Sequence, residues 1–261
     1  MKNKKGIIIA SFGTTYEVTR KLCIESIEKM IEEKYEDYLV LRAFTSEIVR
    51  SILKDRDGLD VYNPIGALNR MKEMGIKEVF IQSLHIIPGY EYEKIIKQVE
   101  DFKKENEDFI ISVGKPLLYE DHDFRKVIEG LVAEKILGEE PVVFMGHGTE
   151  HSSDEAYGKL ERMFADKGYG EVFIGTVEGA RTIEDIIAQL KDKNIKKVIL
   201  RPFMLVAGDH AINDMASEDE ASWRNKLLAN GIEAEIGLFG LGEISAVRNL
   251  FLEHLEAAIN S

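Results

Sequence analysis

Short apolar runs alternate with amphipathic helical patterns along the whole chain. The first run, residues 6–12 (GIIIASF), is apolar at nearly every position, which is typical of a strand buried on both faces of a parallel sheet. Similar runs predict seven further strands, at residues 39–44, 78–84, 109–113, 141–145, 171–176, 197–206 and 233–238. Because helical patterns separate most of these runs, the sequence predicts βαβ units and an α/β fold with parallel sheets.

The two halves of the sequence resemble each other. The segment "IIIASFGT" at 7–14 matches "VVFMGHGT" at 142–149, and "IKEVFIQSLHIIPG" at 76–89 matches "IKKVILRPFMLVAG" at 195–208. A capping-box pattern follows the first match in each half, Thr14-x-x-Glu17 and Ser152-x-x-Glu155. The sequence therefore predicts two αβ domains of one plan, residues 1–125 and 126–261, with the boundary near 120–135.

Composition narrows the class of protein. The chain has 261 residues, 44% of them hydrophobic, and a formal net charge of -13, which argues against nucleic-acid binding and against a polybasic membrane-surface protein. No apolar stretch approaches the roughly 20 residues that span a bilayer, and the run after the N-terminal lysines is too short for a signal peptide. We therefore expect a cytoplasmic protein. The single cysteine, Cys23, excludes an intramolecular disulfide and any zinc site built on several thiolates.

Three residues capable of metal or proton chemistry follow predicted strands of the second half. His147 follows the strand at 141–145, Glu178 the strand at 171–176, and His210 the run at 197–206. Because parallel strands present their carboxyl ends at one edge of a sheet, we expect these side chains to converge there. Imidazole and carboxylate suit divalent first-row metals, and three protein ligands leave positions open for a substrate. The same groups also suit acid–base chemistry, and each residue alone also fits an ordinary loop or capping role.

The first half offers weaker candidates at corresponding places. Glu91 falls opposite His210 in the internal match, so it is a candidate for the other wall of a ligand cleft or else a solvated glutamate of a first helical turn. His85 lies at an apolar strand end, and Gly13 offers a backbone N–H after the first strand. The sequence has no phosphate-binding G-x-x-x-x-G-K-[ST], no G-x-G-x-x-G after a strand and no G-x-S-x-G elbow.

Four stretches together resemble a known family. "IIASFGTTYEVTR", "GHGTEHSSDEAY", "GTVEG" and "LVAGDHAINDMASED" occur in this order over nearly the whole chain, and as a set they resemble the anaerobic-type cobalt chelatases of cobalamin biosynthesis, class II chelatases related to ferrochelatase. The resemblance implies two similar domains, each a four-stranded parallel sheet flanked by helices, with the tetrapyrrole in a cleft between them. It implies Co²⁺ and sirohydrochlorin (or precorrin-2) as substrates, and no ATP, organic cofactor or partner subunit. Position by position, it implies His147, Glu178 and His210 as the metal-binding and catalytic residues.

Several points stay open at this stage. His147 is our first choice for the group that accepts a pyrrole proton. Arg42, Arg50 and Arg181 are candidate partners for the carboxylates of sirohydrochlorin, although surface arginines are common. An iron or nickel chelatase is the nearest alternative, since these ligands discriminate weakly among such metals. A non-catalytic tetrapyrrole- or metal-binding protein and, more distantly, a phosphate-binding hydrolase are the others. The sequence leaves the oligomeric state undecided, and a homo-oligomer is compatible with it.

Overall fold

A computed structural model describes residues 5–261, which form two compact units. The first unit comprises Met1–Tyr119 with Val247–Ser261, and the second comprises Glu120–Ala246. Residues 1–4, which include two of the lysines before the first apolar run, lie outside the described part. The sequence-based domains, 1–125 and 126–261, stay a prediction. The second unit begins at Glu120 and not at residue 126, and the C-terminal 15 residues group with the first unit.

The first unit contains a four-stranded parallel sheet in the order β2-β1-β3-β4. Its strands are β1 Lys5–Ser11, β2 Tyr38–Phe44, β3 Glu78–Ser83 and β4 Ile110–Gly114. Its helices are α1 Glu17–Thr19, α2 Ser26–Lys34, α3 Glu47–Asp57, α4 Pro64–Glu73 and α5 Tyr90–Glu105, with a π-helical segment, Arg20–Glu25, joining α1 to α2.

The second unit repeats this arrangement, with strand order β6-β5-β7-β8. Its strands are β5 Val142–Gly146, β6 Val172–Thr176, β7 Lys197–Pro202 and β8 Glu233–Ile236. Its helices are α6 Asp121–Ala133, α7 Glu155–Asp166, α8 Ile183–Asp192 and α9 Trp223–Ala229, and α10 Ser245–Ile259 begins here and continues into the first unit. Short 3₁₀ turns occupy Ser152–Asp154 and Leu241–Glu243, and a π-helical segment occupies Ala211–Met215.

Each unit has its own apolar core, because the central strands are buried on both faces. Residues Gly6–Ser11 of β1 and all of β5 are buried, as the continuous apolar runs predict. In the second unit the core joins strand residues such as Val143 and Leu200 to Ile186, Leu190 and Trp223 of the helices. Within residues 5–261, no helix combines the length and apolar character that a bilayer crossing requires.

The carboxyl edges of the two sheets are built by equivalent backbone hydrogen bonds. In the first unit Thr45 N donates to Ser11 O (2.8 Å), Ser46 N to Phe12 O (3.3 Å) and Leu84 N to Ala10 O (2.8 Å). The corresponding bonds in the second unit join Val177 N to Gly146 O (3.1 Å), Glu178 N to His147 O (2.8 Å) and Phe203 N to Met145 O (2.7 Å). The internal repeat of the sequence therefore encodes the same local scaffold twice, and the predicted fold class is confirmed.

One predicted strand is too long. The apolar run at 197–206 suggested a single strand, but β7 ends at Pro202, which has no N–H to continue a ladder. Beyond it the carbonyls of Met204 and Leu205 accept from Leu241 N (2.8 Å) and Gly242 N (2.9 Å). The rest of the apolar run therefore lies outside the sheet, with Phe203 and Leu205 buried and Met204 and Val206 half-buried.

The predicted capping boxes also take other forms. Tyr16, not Thr14, is the N-cap residue of α1, and Thr14 Oγ1 accepts from Tyr16 N at 3.2 Å. Before α7 the 3₁₀ turn intervenes, and its N-cap is His151, whose Nδ1 accepts from Ser153 N at 3.1 Å. Both segments still start helices where the sequence predicts them.

Candidate metal centre

His147 lies directly after β5, in a tight turn between two glycines. Gly148 has φ +79°, and a Cβ at Gly146 would lie 2.6 Å from the Tyr157 ring, so both neighbours must be glycine for this turn to pack. The imidazole Nδ1 lies 2.9 Å from Gly148 O. Because a carbonyl oxygen only accepts, this contact favours the tautomer with hydrogen on Nδ1, which leaves the Nε2 lone pair for a ligand.

His210 is positioned by the helical segment after β7. It directly precedes the π-helical residues Ala211–Met215, and its Nδ1 lies 2.6 Å from Asp214 Oδ2, one turn ahead. A carboxylate that accepts from Nδ1 fixes the orientation and the tautomer of the ring, an arrangement common behind metal-binding histidines. The strand-end pattern does not predict this role for Asp214, and its spacing of four residues from His210 is the one signal for it in the sequence.

Glu178 occupies the loop between β6 and α8. Thr176 N donates to Arg181 O (2.7 Å), which closes the loop, and Glu178 N donates to His147 O (2.8 Å), which ties it to the histidine turn. The Glu178 carboxylate is 59% exposed and lies 3.8 Å from His147 Nδ1. It also lines a cavity of about 710 Å³ between the β5–α7 and β6–α8 loops. Ions from solvent can therefore reach it.

The structure brings His147, Glu178 and His210 together at the carboxyl edge of the second sheet. Each offers one ligand atom, and these three atoms lie within 4.8 Å of one another. The two imidazole rings meet edge to face, with centroids 4.8 Å apart. Two nitrogen donors and one carboxylate oxygen suit a divalent first-row metal. The exposed fraction of the side chain is 33% for His210, 42% for His147 and 59% for Glu178. This exposure leaves room for a larger reaction partner.

Comparison with known proteins places this chain in a family. The profile of the family described as Cobalt chelatase (CbiK) matches residues 5–260. The chain belongs to the cobalt chelatase family. The resemblance found in the four sequence stretches is thereby confirmed, and the family is one of metal-chelatase enzymes.

Relatives support this membership over nearly the full length. A protein of Salmonella typhimurium named sirohydrochlorin cobaltochelatase is 39% identical over 259 residues, covering 98% of this chain and 97% of its own. A protein of Nitratidesulfovibrio vulgaris named sirohydrochlorin cobaltochelatase CbiKC is 34% identical over 268 residues, covering 99% and 92%. Among solved structures, SirB from Bacillus subtilis with Fe³⁺ aligns over 98% of this chain and 96% of its own with TM-score 0.68 and 13% identity. That similarity shows a common fold.

The candidates of the first unit lie at the carboxyl edge of its own sheet. His85 follows β3, with Nδ1 2.9 Å from Ser83 Oγ. Its ring is only part-buried as a whole, but Nε2 is buried and has no hydrogen-bond partner, and burial lowers the pKa of His85 to about 4 against the opposing effect of Glu91. Glu91 lies in the first turn of α5, and its Oε2 is likewise buried without a partner. Gly13 has φ +93° and packs on the Phe44 ring.

Of the three arginines that are candidates for binding the carboxylates of the tetrapyrrole, two already pair with other groups of the protein. Arg42 Nε donates to Glu28 Oε1 at 2.7 Å and its Nη2 lies 3.2 Å from Glu25. Arg181 Nε donates to Ile174 O at 2.7 Å, and its Nη2 pairs with Glu161. Arg50, in the first turns of α3, has a buried Nε without a hydrogen-bond partner. Of the three, Arg50 is therefore the one best suited to an anionic ligand.

Proposed function

We propose that the protein inserts Co²⁺ into sirohydrochlorin, with His147, Glu178 and His210 as its metal-binding and catalytic residues. The observation that carries this proposal is the convergence of their three ligand atoms within 4.8 Å at one sheet edge. Family membership and the names of the two full-length relatives support the choice of metal and tetrapyrrole.

The two imidazoles hold the incoming ion through Nε2. Gly148 O and Asp214 Oδ2 each face Nδ1 of a ring, so both histidines present a neutral, oriented lone pair toward the ion. Glu178 adds one negative charge. Together these ligands replace part of the water shell of Co²⁺ before the macrocycle takes it up, while positions opposite the protein stay open for the pyrrole nitrogens.

Insertion requires the ring to lose two pyrrole protons. As the metal passes to the ring nitrogens, the Nε2 lone pair of His147 is released and takes the first proton. The Glu178 carboxylate, 3.8 Å from His147 Nδ1, stabilises the resulting imidazolium. Glu178 takes the second proton and, being 59% exposed, returns it to water. General-base help of this kind contributes about 10²- to 10⁴-fold in enzymes.

Glu91, His85 and Gly13 are proposed to bind the tetrapyrrole. Buried polar atoms without partners are rare in folded proteins, and His85 Nε2 and Glu91 Oε2 are two of them in one small region. Polar groups of a bound ligand would supply partners for both atoms. The reaction is proposed to need neither ATP nor an organic cofactor, in line with the class II chelatases that the sequence resembles.

An anaerobic absorbance assay with sirohydrochlorin and Co²⁺ tests the proposal. We expect many metallated rings per wild-type chain, and loss of turnover in His147→Ala and His210→Ala although both variants still fold and bind the ring. Glu178→Gln is compared with a matched control, Glu150→Gln. Glu150 is an exposed glutamate in the same loop region, and Glu150→Gln should keep the wild-type activity. A spectral change that saturates at one ring per chain and is unaffected by His147→Ala would instead identify a tetrapyrrole carrier.

The same assay decides among the metals. Imidazole and carboxylate bind cobalt, iron and nickel with modest discrimination, so parallel reactions with Fe²⁺ and Ni²⁺, and with precorrin-2 as the ring, are needed. A kcat/KM for Fe²⁺ or Ni²⁺ above that for Co²⁺ would change the assigned metal while leaving the three ligands in place.

A further inference from the structure

Asp154 connects the two loops that carry His147 and Glu178. Its Oδ1 accepts from Thr149 N at 3.1 Å, two residues after His147. Its Oδ2 accepts from Ala180 N at 3.0 Å, two residues after Glu178. The residue is only 8% exposed, although it lines the same cavity as Glu178. One buried carboxylate thus holds both loops at once.

This carboxylate is not used to cap its own helix. Asp154 is the N-cap residue of α7, the position where an aspartate usually accepts from the helix, but no side-chain capping bond forms there. The side chain turns instead toward the β6–α8 loop. Its placement therefore serves the loops.

The glycines around Asp154 show how closely the loops are packed. A Cβ at Gly179 would lie 2.6 Å from Asp154 Oδ2 and 2.6 Å from Thr176 Oγ1. A Cβ at Gly148 would collide with the backbone N of Gly179. Since these contacts leave no room for a side chain, the carboxylate can reach Ala180 only because both loops carry glycine at these positions.

The first unit shows that the shared scaffold does not need this link. Its sheet edge is held by equivalent backbone hydrogen bonds, yet the residue five positions after its Gly-Thr pair is Thr19, whose hydroxyl contacts Cys23 at 3.5 Å. The Asp154 connection is therefore an addition in the unit that gathers the imidazoles and the carboxylate.

We propose that Asp154 is a positioning residue that fixes the separation of His147 and Glu178 and so preorganises the metal centre. This inference rests on the proposed function of that centre. Without Asp154 the β6–α8 loop keeps its base, the Thr176–Arg181 bond, and its bond to His147 O, but Ala180 loses the acceptor that holds the far side of the loop. Glu178 then samples positions too far from the imidazoles to share one ion with them.

The test is a titration of the full-length protein with Co²⁺ alone, followed by the visible absorption of the bound ion. We compare wild type with Asp154→Asn, which keeps the shape but places an N–H₂ group against one of the two donors, and with Ala180→Pro, which removes one donor and leaves the buried carboxylate intact. Asp185→Asn is the control, since Asp185 closes the capping box of α8 in the same unit. Unfolding midpoints are recorded for all variants.

Asp154→Asn and Ala180→Pro should each raise the Kd for Co²⁺ about tenfold or more and change the band shape, because one ligand is lost from the set. Asp185→Asn should leave the Kd within about twofold of wild type even where it lowers the unfolding midpoint. A folded Asp154→Asn or Ala180→Pro protein with wild-type Kd and spectrum would overturn the positioning role alone. If His147→Ala binds Co²⁺ as tightly as wild type, the metal centre itself is wrong, and this inference with it.

Discussion

Replacing Gly148 by alanine should damage both the stability of the second unit and its metal centre. Gly148 has φ +79°, a conformation that costs an L-residue about 1–2 kcal/mol. The added Cβ would lie 2.6 Å from Thr176 Cβ and 2.9 Å from Gly179 Cα, which are atoms that cannot rotate away. Overpacking of this kind typically costs about 1–3 kcal/mol. The two effects together predict a loss of about 2–5 kcal/mol in the free energy of unfolding.

Gly231 provides a matched control within the same unit. It has φ +74°, close to that of Gly148, but a Cβ there would meet no atom within 4 Å. Gly231→Ala should therefore cost only the conformational part, about 1–2 kcal/mol. The difference between the two variants isolates the collision between the β5–α7 and β6–α8 loops.

Urea denaturation followed by tryptophan fluorescence measures this difference. The chain has one tryptophan, Trp223, which is 5% exposed in the core of the second unit, so its emission reports on that unit. A Co²⁺ titration of the folded variants gives the second readout. Relieving the collision moves the Gly179 backbone N by about 1 Å, the amount by which its contact with the added Cβ falls short of ordinary contact at 3.4 Å. Displacements near 1 Å can cost about 10²-fold in activity.

We therefore expect weaker Co²⁺ binding in Gly148→Ala and unchanged binding in Gly231→Ala. Equal destabilisation of the two variants, within about 0.5 kcal/mol, would show that the loops give way freely. Wild-type Co²⁺ affinity in Gly148→Ala would refute the claim that close loop packing sets the ligand geometry.

Three further predictions follow from single contacts. In a calorimetric titration, Asp214→Ala should weaken Co²⁺ binding about 10- to 100-fold, because His210 loses the carboxylate that orients it. Asn213→Ala, a change on the exposed face of the same segment, is the control and should bind Co²⁺ like the wild type. The pKa of His85 is lowered from 6.5 to about 4 in the folded protein, so the unfolded state binds this proton first as the pH falls. Between pH 6.5 and 4 the free energy of unfolding should therefore decrease more steeply for the wild type than for His85→Gln. Parallel pH dependences of the two proteins would contradict this. Arg50→Gln should raise KM for sirohydrochlorin about tenfold in steady-state assays with little change in kcat, whereas Arg56→Gln, already paired with Asp57, should not.

The sequence predicted the convergence of His147, Glu178 and His210 because the argument needed only the order of strands and the rule for parallel sheet edges. All eight predicted strands are present, and His147 and Glu178 follow their strands within two residues, whereas His210 lies eight residues after the end of β7. The predicted end of a strand is wrong where an apolar run has two interpretations. The run after Pro202 is as apolar as a strand, and only the acceptance of bonds from Leu241 and Gly242 shows that it leaves the sheet.

The residues that orient the ligands were harder to foresee. Asp214 lies one helical turn from His210, but Glu218, Asp219 and Glu220 follow it in the sequence, and such an acidic cluster is more typical of a solvated helix face. Asp154 lies inside the Ser152-x-x-Glu155 pattern, which indicates only the start of a helix, because its partner Ala180 is 26 residues away and belongs to another loop. A contact of that kind depends on how two loops fold over one another, which local pattern and composition do not encode.

The duplicated scaffold carries different side chains at the positions equivalent to the proposed metal ligands. The backbone bonds that position His147 and Glu178 recur at Phe12 and Ser46, and the internal sequence match places Glu91 opposite His210. The first unit therefore has an aromatic ring, a hydroxyl and one carboxylate at the three equivalent positions. Ser46 already accepts from Val49 N as the N-cap of α3, and Phe12 is 48% exposed, which suits contact with a flat apolar surface. Equal backbones thus carry unequal side chains at this edge of each sheet. In the proposed function, the chemistry depends on three side chains of the second unit and not on the fold that both units share.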